Sequence, residues 1–201
     1  MPVKYIPYYP NTVEGQAILD NITRTQRVLR YRENDKVYDN SFSGIHTLAT
    51  AAVLDGEADK VFNFEIKDGP GGEKHWGRWG ILTHEKFGEP EIKPRYNALL
   101  FLNRLLGDKM TIAGEGSWVK ALGRERGGVF RTLVVNYDPN GRHSEVVPIT
   151  FINLKNGNFT LRRTEYGGAT REENVATTSA SWATSEVLRP NSALLLELIP
   201  R

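Results

Sequence analysis

Pro94-Arg-Tyr-Asn-Ala-Leu-Leu-Phe-Leu-Asn-Arg-Leu-Leu-Gly107 is where the chain changes character. Proline opens a helix at a position whose amide has no intrahelical partner. Tyr96, Leu99, Leu100, Asn103 and Leu106 then recur at helical spacing, and Gly107 ends the pattern. Upstream of this stretch, strand-like and helix-like segments alternate. Downstream, nearly every segment alternates apolar and polar residues at the period of a β-strand. Gly107 therefore divides the chain into an α/β part, 1–107, and an all-β part, 108–201.

Working back from Pro94, Trp76 and Trp79 lie in a glycine-flanked loop, His75-Trp-Gly-Arg-Trp-Gly-Ile-Leu82. Before it, Val61-Phe-Asn-Phe-Glu-Ile-Lys-Asp68 reads as a strand, broken by Gly69-Pro-Gly-Gly72. Earlier still, Phe42, Ile45, Leu48, Ala49, Ala52 and Val53 mark a helix with Ser41 as N-cap and Gly56 as its stop. Another helix is expected over 12–32, with Arg24, Arg27, Arg30 and Arg32 on a solvated face. A short strand is expected at Val3-Lys-Tyr-Ile-Pro-Tyr-Tyr9, at a sheet edge or ending at Pro7, which removes a backbone donor. Such strand-and-helix units build parallel sheets, and one or two of them are too few to close one.

Working forward from Gly107, strands are expected near 109–114, 117–124, 128–137, 145–153, 158–165, 175–182 and 192–199. Asp138-Pro-Asn-Gly141 and Lys155-Asn-Gly157 carry turn chemistry between them. Seven short strands at this spacing imply an antiparallel β-sandwich. Trp118 and Trp182 fall on these strands, where core packing is the expectation.

Composition narrows the function classes. The 201 residues are 39% hydrophobic and 25% charged, with 19 glycines and 10 prolines, as befits a turn-rich globular chain. A net charge of +2 without a dense basic tract gives no ground for nucleic-acid binding. With no cysteine, disulfides, thiolate metal sites and a cysteine nucleophile are excluded. No run approaches the about 20 apolar residues of a membrane span, and no signal core is visible, so the compartment stays open. His46, His75, His84 and His143 lack a second ligand at metal spacing, and neither a metal nor a cofactor is expected.

Three stretches on the α/β side carry a resemblance. Trp79-Gly-Ile-Leu-Thr83, Lys93-Pro-Arg-Tyr-Asn-Ala98 and Leu102-Asn-Arg-Leu105 resemble the end of a glycoside hydrolase barrel, where the last strand is followed by a loop and a helix. The all-β side is similar too, in Gly116-Ser-Trp-Val-Lys-Ala-Leu122, Leu133-Val-Val-Asn-Tyr-Asp138 and Leu188-Arg-Pro-Asn-Ser-Ala-Leu-Leu-Leu-Glu-Leu198. The family that this resembles is glycoside hydrolase family 39, the β-xylosidase and α-iduronidase type. The match runs from about residue 39 to 201. It implies an α/β remnant of a (β/α)8 barrel over 1–107, followed by an antiparallel β-sandwich over 108–201. Val61–Asp68 would be the eighth barrel strand and the helix at 41–55 the seventh helix.

The resemblance also implies what is missing. The family's nucleophile is a glutamate at the end of strand seven, and Val3-Lys-Tyr-Ile-Pro-Tyr-Tyr-Pro-Asn11, which would match it, holds no acid. The acid/base glutamate, from an Asn-Glu pair on strand four, has no counterpart. Retaining glycosidases need two carboxyl groups about 5–5.5 Å apart. Glu65 and Asp68 are weak catalytic candidates, since residues three apart on a strand point to opposite faces. Asp68 is the better placed, at the strand's C-terminal end. Trp76, Trp79 and His75 are the substrate-binding candidates, because an indole ring packs against the C–H face of a sugar.

The resulting expectation is the C-terminal part of a retaining glycoside hydrolase that is inactive as this chain alone, with carbohydrate as its partner. The exposed edges of a partial barrel also imply a homo-oligomer or a partner chain that completes it. A non-catalytic carbohydrate-binding or assembly module using Trp76 and Trp79 is the alternative. A purely structural domain that binds no sugar is the third reading.

Overall fold

A computed structural model describes residues 39–201 apart from 64, 72, 73, 75–78 and 115. The short strand and long helix expected before residue 39, with their arginines, lie outside the described residues, as do His75 and Trp76. What is described is mostly antiparallel β-sheet with two α-helices. The helices are α1, Ser41–Leu54, and α2, Pro94–Leu102. The strands are β1 Asp108–Met110, β2 Val119–Arg126, β3 Val129–Asn136, β4 Glu145–Ile152, β5 Gly157–Glu165, β6 Thr170–Thr177, β7 Ser181–Leu188 and β8 Ser192–Pro200.

Six strands form one sheet in the order β1-β2-β3-β8-β5-β6, and β4 pairs with β7 in a second. Every named ladder is antiparallel. The period-two pattern of β3 and β8 feeds two cores at once. Leu133, Val135, Ala193 and Leu195 face the helices, joining Ile45, Leu48, Ala49, Ala98 and Phe101. Val134, Leu194, Leu196 and Leu198 face the smaller sheet, joining Phe151, Phe159, Leu161 and Leu188. Burial on both faces explains why Leu194-Leu-Leu196 is a continuous apolar run rather than an alternating one.

Among the described residues the expectation of seven strands beyond Gly107 is corrected to eight. The segment taken as one strand at 175–182 is the end of β6 and the start of β7, turned at 178–180. β6 is an edge strand with exposed polar residues along most of its length, so hydrophobic alternation is silent there. Two helix details also change. Asn40, not Ser41, caps α1, accepting from the Phe42 amide at 2.9 Å. The core face of α2 is Ala98 and Phe101, whereas Leu100 and Leu106 are about half exposed. With five leucines and one phenylalanine between 99 and 106, spacing alone does not fix which side meets the sheet. Trp182 packs against Phe151 as expected, but Trp118 lies just before β2 and stacks on His143, 4.8 Å between centroids and 9° from parallel.

A row of charges crosses the helix-side face of the large sheet. Lys109, Arg124, Arg131, Glu197, Arg162 and Glu172 are successive cross-strand neighbours on β1, β2, β3, β8, β5 and β6. Asp55, the C-cap of α1, pairs with Arg124, and Arg104, just beyond α2, reaches Glu197 at 2.6 Å. A one-residue slip of any strand would drop its charge onto the other face, so the row helps to specify register.

The stretch at 61–68 corrects another expectation. Its described residues form no strand and bend at Ile66; Lys67 makes a single parallel bridge to Leu82. Its amides and carbonyls instead meet 79–82: Glu65 N–H donates to Trp79 O at 3.2 Å, and Leu82 N–H to Ile66 O at 3.0 Å. Among the described residues no strand lies beside it to extend a sheet.

Candidate functional site

The stretch 65–68, the segment 79–83 and the start of α2 meet at one place. Asp68, at the end of the stretch, is 5% exposed, and its carboxylate accepts from Lys93 Nζ at 2.9 and 3.0 Å. Oδ1 also accepts the Gly80 amide at 2.8 Å. Lys93, only 1% exposed, caps α2 and pairs as well with Asp39 at 2.6 Å, just before α1. One buried ammonium thus ties the start of both helices to the end of that stretch. Charges taken this far from water persist only when paired and hydrogen-bonded.

Gly80 sits hard against this group. A Cβ there would lie 2.4 Å from Asp68 N and 2.5 Å from Asp68 Oδ1, so no other residue fits without displacing Asp68. The preceding residue, Trp79, is 52% exposed. Its carbonyl accepts from the Arg95 guanidinium, whose other arm bonds Asn63 Oδ1. An exposed indole on a backbone held this firmly can present an apolar ring face to a ligand.

The sequence-based candidates therefore fare differently. Asp68 and Trp79 are brought together, through Gly80. Glu65 is half-buried and is joined to Trp79 through its backbone amide. His75 and Trp76 lie outside the described residues. His84 caps a short 3-10 turn, Glu85–Phe87, accepting the Lys86 amide at 3.0 Å. Lys93, Arg95 and Asp39 escaped sequence reasoning as members of a site. Lys93 stands 25 positions from Asp68, and neither residue type nor spacing announces such a pair.

Two cavities are lined by described residues, the first sharing Arg95 with this group. One of about 500 Å³ opens between α1, the stretch 55–63 and α2, lined by His46, Leu54, Phe62, Arg95, Leu99 and Leu122 among others. Burial, and then the nearby Arg95 charge, hold the His46 imidazole below its ordinary value. The other, about 640 Å³, lies between the two sheets beside β4, over Val119, Ala121 and Val134. Among the described residues no cluster of three His, Asp or Glu side chains could hold a metal ion, and no helix is long and apolar enough to cross a membrane.

Just beyond β3, Asp138 is fully buried. Its carboxylate accepts the amides of Asn140, Arg142 and His143 at 2.9, 2.6 and 2.8 Å and contacts His143 Nδ1 at 2.8 Å. Burial alone would raise its pKa, but these bonds outweigh it and hold the carboxyl far below the usual carboxylate range. The arrangement ties down the crossing from β3 to β4.

No family model matches the sequence, and no curated protein is similar enough to count as a relative. Solved structures are similar in fold. A GH39 enzyme from Xanthomonas axonopodis pv. citri superposes with a TM-score of 0.60 at 15% identity, over 82% of this chain and 42% of its own. A monomeric β-xylosidase from Caulobacter crescentus CB15 gives 0.59 at 16% identity, over 82% and 42%. A glucosidase from Croceicoccus marinus gives 0.57 at 16% identity, over 81% and 42%. The chain thus spans about two fifths of the length of these structures. At such identities the likeness establishes the fold, which matches the C-terminal β-domain of GH39-like enzymes.

Proposed function

We propose that this chain is the C-terminal portion of a retaining glycoside hydrolase acting on oligo- or polysaccharides. In this reading 1–107 contributes the last units of a (β/α)8 barrel, and 108–201 is its companion β-sandwich. The observation that carries it is the fold likeness to glycoside hydrolases over four fifths of this chain but two fifths of theirs. A surface property agrees. Val61, Phe62 and Ile66, on the stretch 61–68, are 59%, 88% and 72% exposed. Apolar side chains exposed in that density mark a surface that something covers. Neighbouring barrel strands would do so.

The complete enzyme would cleave by double displacement, one carboxylate attacking the anomeric carbon while a second carboxyl protonates the leaving oxygen. Asp68 and Glu65 are the carboxylates that the sequence singles out near the loop, and Asp68 is engaged by Lys93 and Gly80. The chain alone is therefore inactive, its role being to supply Trp79, with Trp76 and His75, to the sugar. A panel of chromogenic glycosides assayed on the purified chain tests this. Robust turnover by the chain alone would overturn it. The exposed apolar stretch also calls for a homo-oligomer or a partner chain completing the barrel. A clean monomer at micromolar concentration in light scattering counts against that.

The exposed indole of Trp79 favours a second reading, a non-catalytic carbohydrate-binding or assembly module. Titrating xylo- and gluco-oligosaccharides against the wild type and Trp76→Ala and Trp79→Ala variants decides it, and no binding by the wild type sinks it.

A further inference from the structure

We infer that Lys93 and Arg95 are the positioning residues of Trp79, clamping the 79–80 peptide unit from its two sides. The inference rests on the reading above only in giving Trp79 a sugar to meet.

A peptide unit is planar, so holding its carbonyl and its N–H fixes the plane and with it the ψ of the residue before it. The carbonyl of this unit is Trp79 O, which accepts from the Glu65 amide at 3.2 Å and from the Arg95 guanidinium. The N–H is that of Gly80, which donates to Asp68 Oδ1 at 2.8 Å. Asp68 is itself immobilised by Lys93 through both carboxylate oxygens. Each side of the plane thus ends on a charge, and charge-assisted hydrogen bonds are about twice as strong as neutral ones. The lack of room for a Cβ at Gly80 shows how closely the unit is seated.

Lys93 and Arg95 are two residues apart at the start of α2, the element whose Ala98 and Phe101 are buried against the sheet. The loop is thereby referenced to the rigid layer of the protein rather than to its own neighbours. Sites held by rigid elements keep their geometry better than sites held by loops. Lys93 and Arg95 need not touch the ligand; they act through the backbone of Trp79.

The test uses the full chain with 15N-labelled tryptophan. Each of its four indole N–H cross-peaks is assigned by a Trp→Phe substitution. In Lys93→Met and in Arg95→Met the Trp79 cross-peak should move or broaden, while those of Trp118 and Trp182, in the sandwich, stay in place. Lys93→Arg, which keeps the charge, should shift it less than Lys93→Met. Arg124→Met, at the charged row on the sheet, should leave it unmoved. A Trp79 cross-peak unchanged in both folded variants overturns the inference. If Lys93→Met loses the Trp118 and Trp182 signals as well, Arg95→Met decides alone. Adding xylo-oligosaccharides separates this inference from the function it serves. Failure of the wild-type Trp79 signal to respond sinks the sugar reading and leaves the clamp standing. A sugar response combined with variants that bind as the wild type does overturns the clamp.

Discussion

Gly44, in α1, lies directly beneath the ring of Tyr166, so that a Cβ on Gly44 would sit 2.1 Å from the Tyr166 hydroxyl oxygen. The same hydroxyl donates to Pro94 O, at the first residue of α2, at 2.5 Å. Tyr166, just after β5, also meets Phe101 edge-on at 5.7 Å between centroids. One aromatic side chain from the sandwich therefore docks both helices, and glycine inside α1 makes the space for it.

Gly44→Ala should destabilise the protein by about 1–3 kcal/mol through overpacking. That outweighs the about 1 kcal/mol that alanine gains over glycine in a helix. In a Tyr166→Leu background the penalty should shrink, since contacting residues are not additive. Urea unfolding of the four proteins checks both statements.

Tyr166→Phe should cost about 1 kcal/mol by removing the bond to Pro94. Burial pushes the Tyr166 phenol up to about 12 from an ordinary value near 10. The folded state thus holds this proton when the unfolded state has released it. Stability from this group is fully present below about pH 10 and falls as pH rises towards about 12. Spectrophotometric titration should show one late-ionising tyrosine, absent in Tyr166→Phe.

Glu197→Gln and Glu172→Gln remove two carboxylates of the same charged row with different consequences. Glu197, whose side chain is 7% exposed, faces Arg104, Arg131 and Arg162, and its loss takes this carboxylate from Arg104 and Arg131 while Arg162 keeps Glu172. The cost should be about 3–5 kcal/mol. Glu172 is 49% exposed, and its pair with Arg162 should contribute under about 1 kcal/mol. Equal losses in denaturant titrations would contradict the argument.

Asp138 sets the acid limit. Its folded pKa lies far below the unfolded value, so its contribution is complete above about pH 4 and is lost as pH falls below that. Asp138→Asn should be less stable than the wild type at neutral pH and should lose less stability on acidification. Thermal unfolding at several pH values from neutral to 3 measures the difference.

Phe62→Ser with Ile66→Ser should change monomer stability by less than about 0.5 kcal/mol, since both side chains are exposed. The pair should reduce any self-association seen by light scattering, because the apolar surface is what a partner would cover. Unchanged association would move the interface elsewhere.

How much of this was legible in the residues depends on the range of the interaction. The change of period at Gly107, the turn at Asp138-Pro-Asn-Gly141, where Gly141 N–H donates to Asp138 O at 3.0 Å, and the helix opened by Pro94 are local signals. So is the all-apolar run of β8, the mark of a strand covered on both faces. Trp79 could be singled out as a substrate-binding candidate because it lies in a glycine-flanked loop; its exposure could not. The strand order β1-β2-β3-β8-β5-β6 could not be read this way, nor the split of β6 from β7, nor the side of α2 that meets the sheet.

Local backbone preference and hydrophobic period act over a few residues, so among the described residues the sequence by itself determined where the two α-helices, the turns and most strands lie and that antiparallel sheet follows the helices. Asp68 meeting Lys93, Glu197 meeting three arginines and Gly44 meeting Tyr166 join positions from 25 to 122 apart along the chain. Those partnerships exist only once the sheet order and the helix packing are set, because only then do buried charges find their counter-charges and a missing Cβ becomes a place for a ring.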